Sequence, residues 1–397
     1  MNSYFASVEQ QANPFLRGRP VGVCAYLSPN GAIIASSKEA KLLGVRTACR
    51  VQDALRLAPG IELVENEPAK YRCTTEKIFN ILAQYTDAVE PYSIDEAFMD
   101  LTGWVKDFQS AEAMAKIIKA RIKNEVGEWL ECSVGISFTK FLAKFAGDIA
   151  PKAGILIITP ENIDIYLKHK VREAWGIGKA IEEKLNRLGV KTLLDLKHYD
   201  RKKLEKLLGI NGYYIWANVN GIEVSEISDE TPLPKSIGHS YCIPQKTNNK
   251  KYLLKILFKL CEKTGRRLRD LNLEAGSANL YFAYLYGGHL TKTIRPAEKI
   301  FTTREIFDPL EIFVNETTLV SPVTQIAVSV IRLAPSSGQQ TIFFDRNKQK
   351  DVSLALDKIN NKYGEYTASS GLMFDTDGLA HDRVGFRKTL SIKREDN

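Results

Sequence analysis

Histidine and cysteine are scarce and scattered in this 397-residue chain. There are five histidines, and the six cysteines (Cys24, Cys49, Cys73, Cys132, Cys242, Cys261) form no CxxC pair and have no histidine at zinc spacing. That excludes a zinc-ribbon scaffold and a dense disulfide framework, and leaves buried or free thiols in a reducing compartment. No apolar run reaches the roughly 20 residues that cross a bilayer, and no signal-peptide pattern opens the chain. The expectation is a soluble protein of the cytoplasm. The charge excess is also small: 55 basic against 47 acidic residues, a net +8 and a pI near 8.9. Such a balance suits a phosphate backbone as partner without requiring one. The length is enough for several domains, each with its own core.

What is present is chemically sharper. Tyr92-Ser93-Ile94-Asp95-Glu96-Ala97-Phe98-Met99-Asp100 sets two adjacent carboxylates in an apolar, strand-like run. Ionised groups are costly there unless paired. Neighbouring side chains of a strand point to opposite faces, so Asp95 and Glu96 can share a site only at a strand end or tight bend. Magnesium is held by such oxygen ligands, together with substrate phosphates. Taken alone, the pair reads as a strand end whose acids are solvated or salt-bridged.

Four further motifs change the weighting. They are Met1-Asn2-Ser3-Tyr4-Phe5-Ala6-Ser7-Val8-Glu9, then Val134-Gly135-Ile136-Ser137 with Thr139-Lys140 and Leu142-Ala143-Lys144, then Trp175-Gly176-Ile177-Gly178, then Lys235-Ser236-Ile237-Gly238. In this order and spacing, with Ser93-Ile94-Asp95-Glu96-Ala97, the set resembles the Y-family, translesion DNA polymerases. Within them it is most similar to the bacterial branch of the DNA polymerase V catalytic subunit and its DinB relatives.

The resemblance implies an α+β, multidomain, right-hand polymerase. Residues 1–10 and 68–157 are expected to form a ferredoxin-like palm, an antiparallel sheet that includes an N-terminal strand and is backed by two helices. Residues 11–67 form small fingers, with strands at 20–25 and 31–35 and a helix at 38–43 closed by Gly44. Residues 158–230 form a helical thumb, where Gly176, Gly178 and Lys179 open one half of a helix-hairpin-helix and Gly209 to Gly212 repeat the punctuation. Glycines there let a turn approach a phosphate, and helix N-terminal amides bind it without reading sequence; a plain helical turn is the alternative. A Pro-rich linker at 231–235 leads to a βαββαβ little finger at 236–334, with a long basic helix at 253–271. Its Arg266, Arg267 and Arg269 lie along DNA or form a solvated face. Residues 335–397 form a C-terminal extension.

For chemistry, the resemblance implies template-directed, low-fidelity addition of deoxynucleotides to a primer 3′ end in a damage or SOS-type response, with two magnesium ions. Asp95 and Glu96 are the matching metal carboxylates, and the backbone carbonyl of Met1 a third ligand. The family's first Asp maps to the position before Met1. That predicts an N-terminus that begins inside the motif, and an α-ammonium near the metal site. Phe5 matches the steric gate against a ribose 2′-hydroxyl; a core aromatic on a strand is the alternative. Tyr4 is its buried neighbour. Lys38, Lys41 and Lys152 match triphosphate contacts, the last in Pro151-Lys152-Ala153-Gly154, where the family order is Lys-Pro. Lys235 and Ser236 join Gly176, Gly178 and Lys179 as DNA-backbone contacts. Gln339, Ile342 and Phe343, in Gly338-Gln339-Gln340-Thr341-Ile342-Phe343-Phe344-Asp345, resemble a sliding-clamp-binding peptide, an extended segment suited to a groove. No second acidic cluster points to proofreading.

Expected partners are primer-template DNA, deoxynucleoside triphosphates, a sliding clamp and accessory mutasome subunits, at the nucleoid. Two other functions stay open. One is a non-catalytic DNA- and clamp-binding accessory protein without the first Asp. The other is a nucleotide cyclase on a similar palm, against which the hairpin, little-finger and clamp-like segments argue.

Overall fold

The computed structural model describes residues 1–228, 233–336, 344–376 and 378–380. They fall into two compact units, residues 1–228 and residues 233–380.

The first unit opens with α1 (Tyr4–Ala12), β1 (Val21–Cys24), β2 (Ile33–Ser36), α2 (Lys38–Leu42), α3 (Val51–Leu57) and β3 (Glu62–Glu65). β1 is the middle strand, antiparallel to β2 and parallel to β3. Its four residues are all buried, as a strand covered on both faces requires. Ser37 caps α2 by accepting the Ala40 amide, and Gly44, at φ +89°, ends the turn after it.

Next come α4 (Pro68–Leu82), β4 (Val89–Pro91), β5 (Ala97–Met99), α5 (Phe108–Arg121), β6 (Val134–Ser137), α6 (Lys140–Ile149) and β7 (Ile155–Ile158). β4 and β5 pair antiparallel, β6 and β7 parallel. Gly135 lets α6 lie directly on β6: a Cβ there would sit 2.0 Å from the Ala143 carbonyl oxygen. That explains the glycine of the third motif. The rest of the unit is helical, with α7 (Ile163–Tyr166), α8 (Lys179–Arg187), α9 (Leu193–His198), α10 (Arg201–Leu208) and α11 (Ile210–Val219) around fully buried Leu185, Leu193, Leu196 and Leu204. Gly212 permits α11 to cross α10, since a Cβ would meet the Leu204 carbonyl at 2.3 Å.

Two local expectations are corrected. Residues 4–12 are a helix, not a strand: Tyr4, Phe5 and Val8 recur at helical spacing and bury one face. The palm strands are therefore two separate pairs among the described residues. Residues 1 and 2 join them, the Met1 ammonium donating to the Asp95 carbonyl (2.8 Å) and the Asn2 amide to that of Glu131 (2.8 Å).

The second unit runs β8 (Ser236–Thr247), α12 (Lys250–Asp270), β9 (Leu273–Tyr284), β10 (His289–Ile294), α13 (Thr303–Glu316), β11 (Val323–Pro335) and α14 (Phe344–Tyr363). The four strands form one antiparallel sheet in the order β10-β9-β11-β8, the expected βαββαβ plan. α13 had no bounds from sequence. It begins at a reciprocal cap between Thr302 and Glu305 and tolerates Pro309.

The basic helix α12 gives a second correction. Arg269 is neither along DNA nor solvated; it is buried and holds Asp357 of α14 with two hydrogen bonds of 2.5 and 3.0 Å. Arg266 reaches Asn361 at 2.5 Å. Lys255, Lys259 and Lys263, each one turn from the next, donate to the carbonyls of Phe374, Thr376 and Ala380. The basic face of α12 is thus an anchor for residues 344–380, which the sequence left without a role.

Candidate active site

Asp95 and Glu96 sit on the turn that leads into β5, closed by the amides of Tyr92 and Ser93 donating to the Glu96 carbonyl (2.9 and 3.1 Å). This bend allows adjacent carboxylates to serve one site. Ser93 Oγ donates to Asp95 Oδ1 at 2.7 Å and lies 3.4 Å from Glu96 Oε2, so one hydroxyl bridges the pair. Lys144 Nζ is 2.8 Å from Glu96 Oε1 and 2.6 Å from Asp148 Oδ1. Burial works against its charge, but the hydrogen bonds it donates to Asp148 and Glu96 outweigh that and hold its pKa above the ordinary lysine value. The salt-bridged reading of Glu96 is therefore correct as far as it goes. Lys144 stood in the third motif without a role; its i,i+4 spacing to Asp148 was the available signal.

Across from the turn, α1 starts at Ser3, which sits in the left-handed region at φ +49° and accepts a 2.7 Å hydrogen bond from Lys41 Nζ. Ala153, at φ +54°, is a second non-glycine residue in that region. Its amide lies 3.3 Å from Asn2 Oδ1, and Lys119 Nζ binds its carbonyl. Left-handed non-glycine residues are strained, and such strain clusters at functional sites. The turn at 151–154 is thereby tied to the chain start, which brings Lys152 toward Lys41. Burial, then the neighbouring Lys152 charge, push the Lys41 ammonium below its ordinary value. Two neighbouring cations raise the local positive potential there. Lys38 is exposed at the start of α2, one turn before Lys41.

Phe5 is buried on α1, with its ring 4.5 Å from that of Tyr71. Tyr4 is buried beside it, as expected, and burial raises its hydroxyl well above the ordinary range. The structure thus gathers Met1, Phe5, Lys41, Lys152, Asp95 and Glu96 around one end of α1. Gly176, Gly178 and Lys179 are exposed elsewhere in the unit, where Gly176 has φ +86° and Gly178 is the N-cap of α8. Lys235 and Ser236 are exposed in the second unit. Gln339, Ile342 and Phe343 lie outside the described residues.

The donors suit a hard cation: magnesium takes one or two carboxylates and completes its shell with water and phosphate oxygens. Asp95 and Glu96 are the two adjacent carboxylates of the turn that could serve in this way. Among the described residues there is no cluster of three or more His, Cys, Asp or Glu that could hold a metal. No helix among them is long and apolar enough to cross a membrane.

Neighbouring lysines, a carboxylate turn and a βαββαβ second unit fit a polymerase-type architecture, and comparison with known proteins agrees. The impB/mucB/samB family matches residues 1–148, and its C-terminal domain matches residues 234–342. DNA polymerase IV 1 of Bacillus subtilis is 31% identical over 92% of this chain and 89% of its own length. DNA polymerase IV of Listeria monocytogenes is 31% identical over 84% and 94%. Among solved structures, a Y-family DNA polymerase chimera of Dbh and Dpo4 shares the fold with a TM-score of 0.73 at 24% identity, covering 84% of this chain and 97% of that one. DinB from Sulfolobus solfataricus gives 0.55 at 25% identity, covering 83% and 96%. The chain belongs to the impB/mucB/samB family of Y-family DNA polymerases.

Proposed function

We propose that the chain is a template-directed translesion DNA polymerase that joins deoxynucleotides to a primer 3′ end. The gathering of Lys41 and Lys152 at the N-terminal end of α1, beside the residues that contact the Asp95–Glu96 turn, carries this reading. The two lysines hold the triphosphate as point charges. Asp95 and Glu96 would hold magnesium, which would supply charge stabilisation at the phosphoryl oxygens when bound. Phe5 excludes the ribose 2′-hydroxyl. The glycine-rich turn before α8 offers the amides of Lys179 and Ala180 to a DNA phosphate, and Lys235 and Ser236 add backbone contacts from the second unit. Solved structures with the same fold are titled as an insertion ternary complex and a post-insertion binary complex of Dbh DNA polymerase. The finer assignments, two ions, the polymerase V branch, an SOS setting, and clamp binding through Gln339, Ile342 and Phe343, rest on sequence resemblance.

The second reading is a non-catalytic DNA- and clamp-binding accessory protein. Primer extension on undamaged and abasic templates separates the readings. It compares the 397-residue chain with a version extended by a short apolar strand ending in Asp before Met1. Magnesium-dependent extension by either form supports the polymerase. Retained primer-template binding with no extension by either leaves the accessory protein. In an active form, Lys41→Ala is expected to raise the KM for dNTP about tenfold, by removing one charge-assisted contact. Steady-state kinetics check it, and an unchanged KM would remove Lys41 from the triphosphate site.

A further inference from the structure

Two halves of the site come from elements far apart in sequence: α1 carries Phe5, and the turn before β5 carries Asp95 and Glu96. A buried hydroxyl chain connects them through α4. Thr75 Oγ1 donates to the Ile94 carbonyl at 2.6 Å, the peptide that leads into Asp95. Tyr4 Oη lies 2.7 Å from the same Thr75 oxygen. With the Thr75 proton committed to Ile94, Tyr4 is the donor to Thr75. The Tyr71 carbonyl lies 2.9 Å from Tyr4 Oη and 3.0 Å from Thr75 Oγ1, closing the cluster. Tyr4 and Thr75 are 3% and 0% exposed, so water does not substitute for either hydroxyl. Buried, fully bonded networks of this kind hold one arrangement, because any displacement leaves a polar atom unpaired.

α4 also touches Phe5 itself. The Tyr71 ring, one turn before Thr75, packs 4.5 Å from the Phe5 ring, and Tyr71 Oη donates to buried Glu9 of α1 at 2.7 Å. One helix therefore holds both the aromatic wall and the peptide bearing the carboxylates.

We propose that Thr75 is a positioning residue for sugar selection: through Tyr4 on one side and Ile94 on the other it fixes the distance between the Phe5 ring and the Asp95–Glu96 turn. This deepens the polymerase reading and rests on it. A gate rejects a 2′-hydroxyl only if the nucleotide, anchored at the carboxylates and lysines, meets the ring at a fixed separation. Displacements of about 1 Å can change rates by a factor of about a hundred. Loosening the chain gives the ribose room while leaving the anchors in place.

The test is single-turnover insertion of dATP and ATP opposite a template thymine by wild type, Thr75→Val, Thr75→Ser and Tyr4→Phe. Thr75→Val keeps the branched shape and removes the hydroxyl. It is expected to lower the dATP-to-ATP efficiency ratio about tenfold or more, and Thr75→Ser to restore it. Tyr4→Phe is expected to lower the ratio too, and the Tyr4→Phe/Thr75→Val double variant to be no worse than Thr75→Val alone, as for two members of one chain. General loosening of the fold would slow both nucleotides alike and leave the ratio unchanged, and that result overturns the proposal. If Thr75→Val does not fold, an unchanged ratio in Tyr4→Phe overturns it equally. If neither the 397-residue chain nor the extended form inserts either nucleotide, the polymerase reading falls, and this inference with it.

Discussion

Asp95→Ala and Glu96→Ala are each expected to lower magnesium-dependent primer extension about a thousandfold or more in an active form of the chain. A metal-carboxylate contact at a phosphoryl-transfer site supplies several kcal/mol of transition-state stabilisation, and each 1.36 kcal/mol is a factor of ten. The two substitutions differ in their side effects. Asp95 shares only the Ser93 hydroxyl within the turn, so its loss leaves the neighbouring ion pair intact. Removing Glu96 takes one partner from Lys144, which keeps Asp148 at 2.6 Å. Glu96→Ala should therefore also lower the raised Lys144 pKa, since one of the hydrogen bonds that raise it is gone. Rapid-quench measurement of the insertion step, with primer-template affinity measured in parallel, checks the first expectation. A loss of less than tenfold for both variants, with DNA binding unchanged, would show that these carboxylates do not serve the reaction.

The second large effect falls on stability. Arg269→Ala is expected to destabilise the second unit by about 3–5 kcal/mol, the range for leaving one member of a buried ion pair without its partner. The Arg269 and Asp357 side chains are 2% and 8% exposed, and both guanidinium contacts are short. Glu262, 3.5 Å away, and Thr303 complete the surroundings of Arg269. Replacing the pair together, Arg269→Met with Asp357→Leu, should recover most of the loss, because the isolated buried carboxylate is removed along with the guanidinium. Urea unfolding, followed by a probe in the second unit, measures both. A cost below about 1 kcal/mol for Arg269→Ala would place this contact with exposed surface pairs, and α14 would then not be an integral part of the unit.

Local pattern made much of this legible. The strands at 20–25 and 31–35, the helix closed by Gly44 and the long helix after the linker follow from short apolar runs, caps and left-handed glycines, all set by a few neighbouring residues. The helix of residues 4–12 was misjudged because the motif string was read as part of a sheet, although Tyr4, Phe5 and Val8 already carried helical spacing. The second helix of the expected βαββαβ plan, α13, has no bounds from sequence because an internal proline lowers local helix preference, which burial of Ile306, Phe307, Leu310 and Val314 overrides. Arg266 and Arg269 were misread since a run of basic residues on a helix looks the same in sequence whether water, DNA or another part of the chain lies opposite.

The sequence by itself determined which residue types were available for chemistry and the local elements that carry them, because motif, cap and periodicity act over a handful of positions. Only the tertiary structure decided which of them meet. Lys41 and Lys152 converge because Asn2 and Lys119 tie the 151–154 turn to the chain start. Glu96 acquires Lys144, and Thr75 joins Tyr4 to Ile94, through folding that brings residues 19 to 71 positions apart into hydrogen-bond range. Such contacts depend on how helices and strands pack in three dimensions, and no short-range pattern records that.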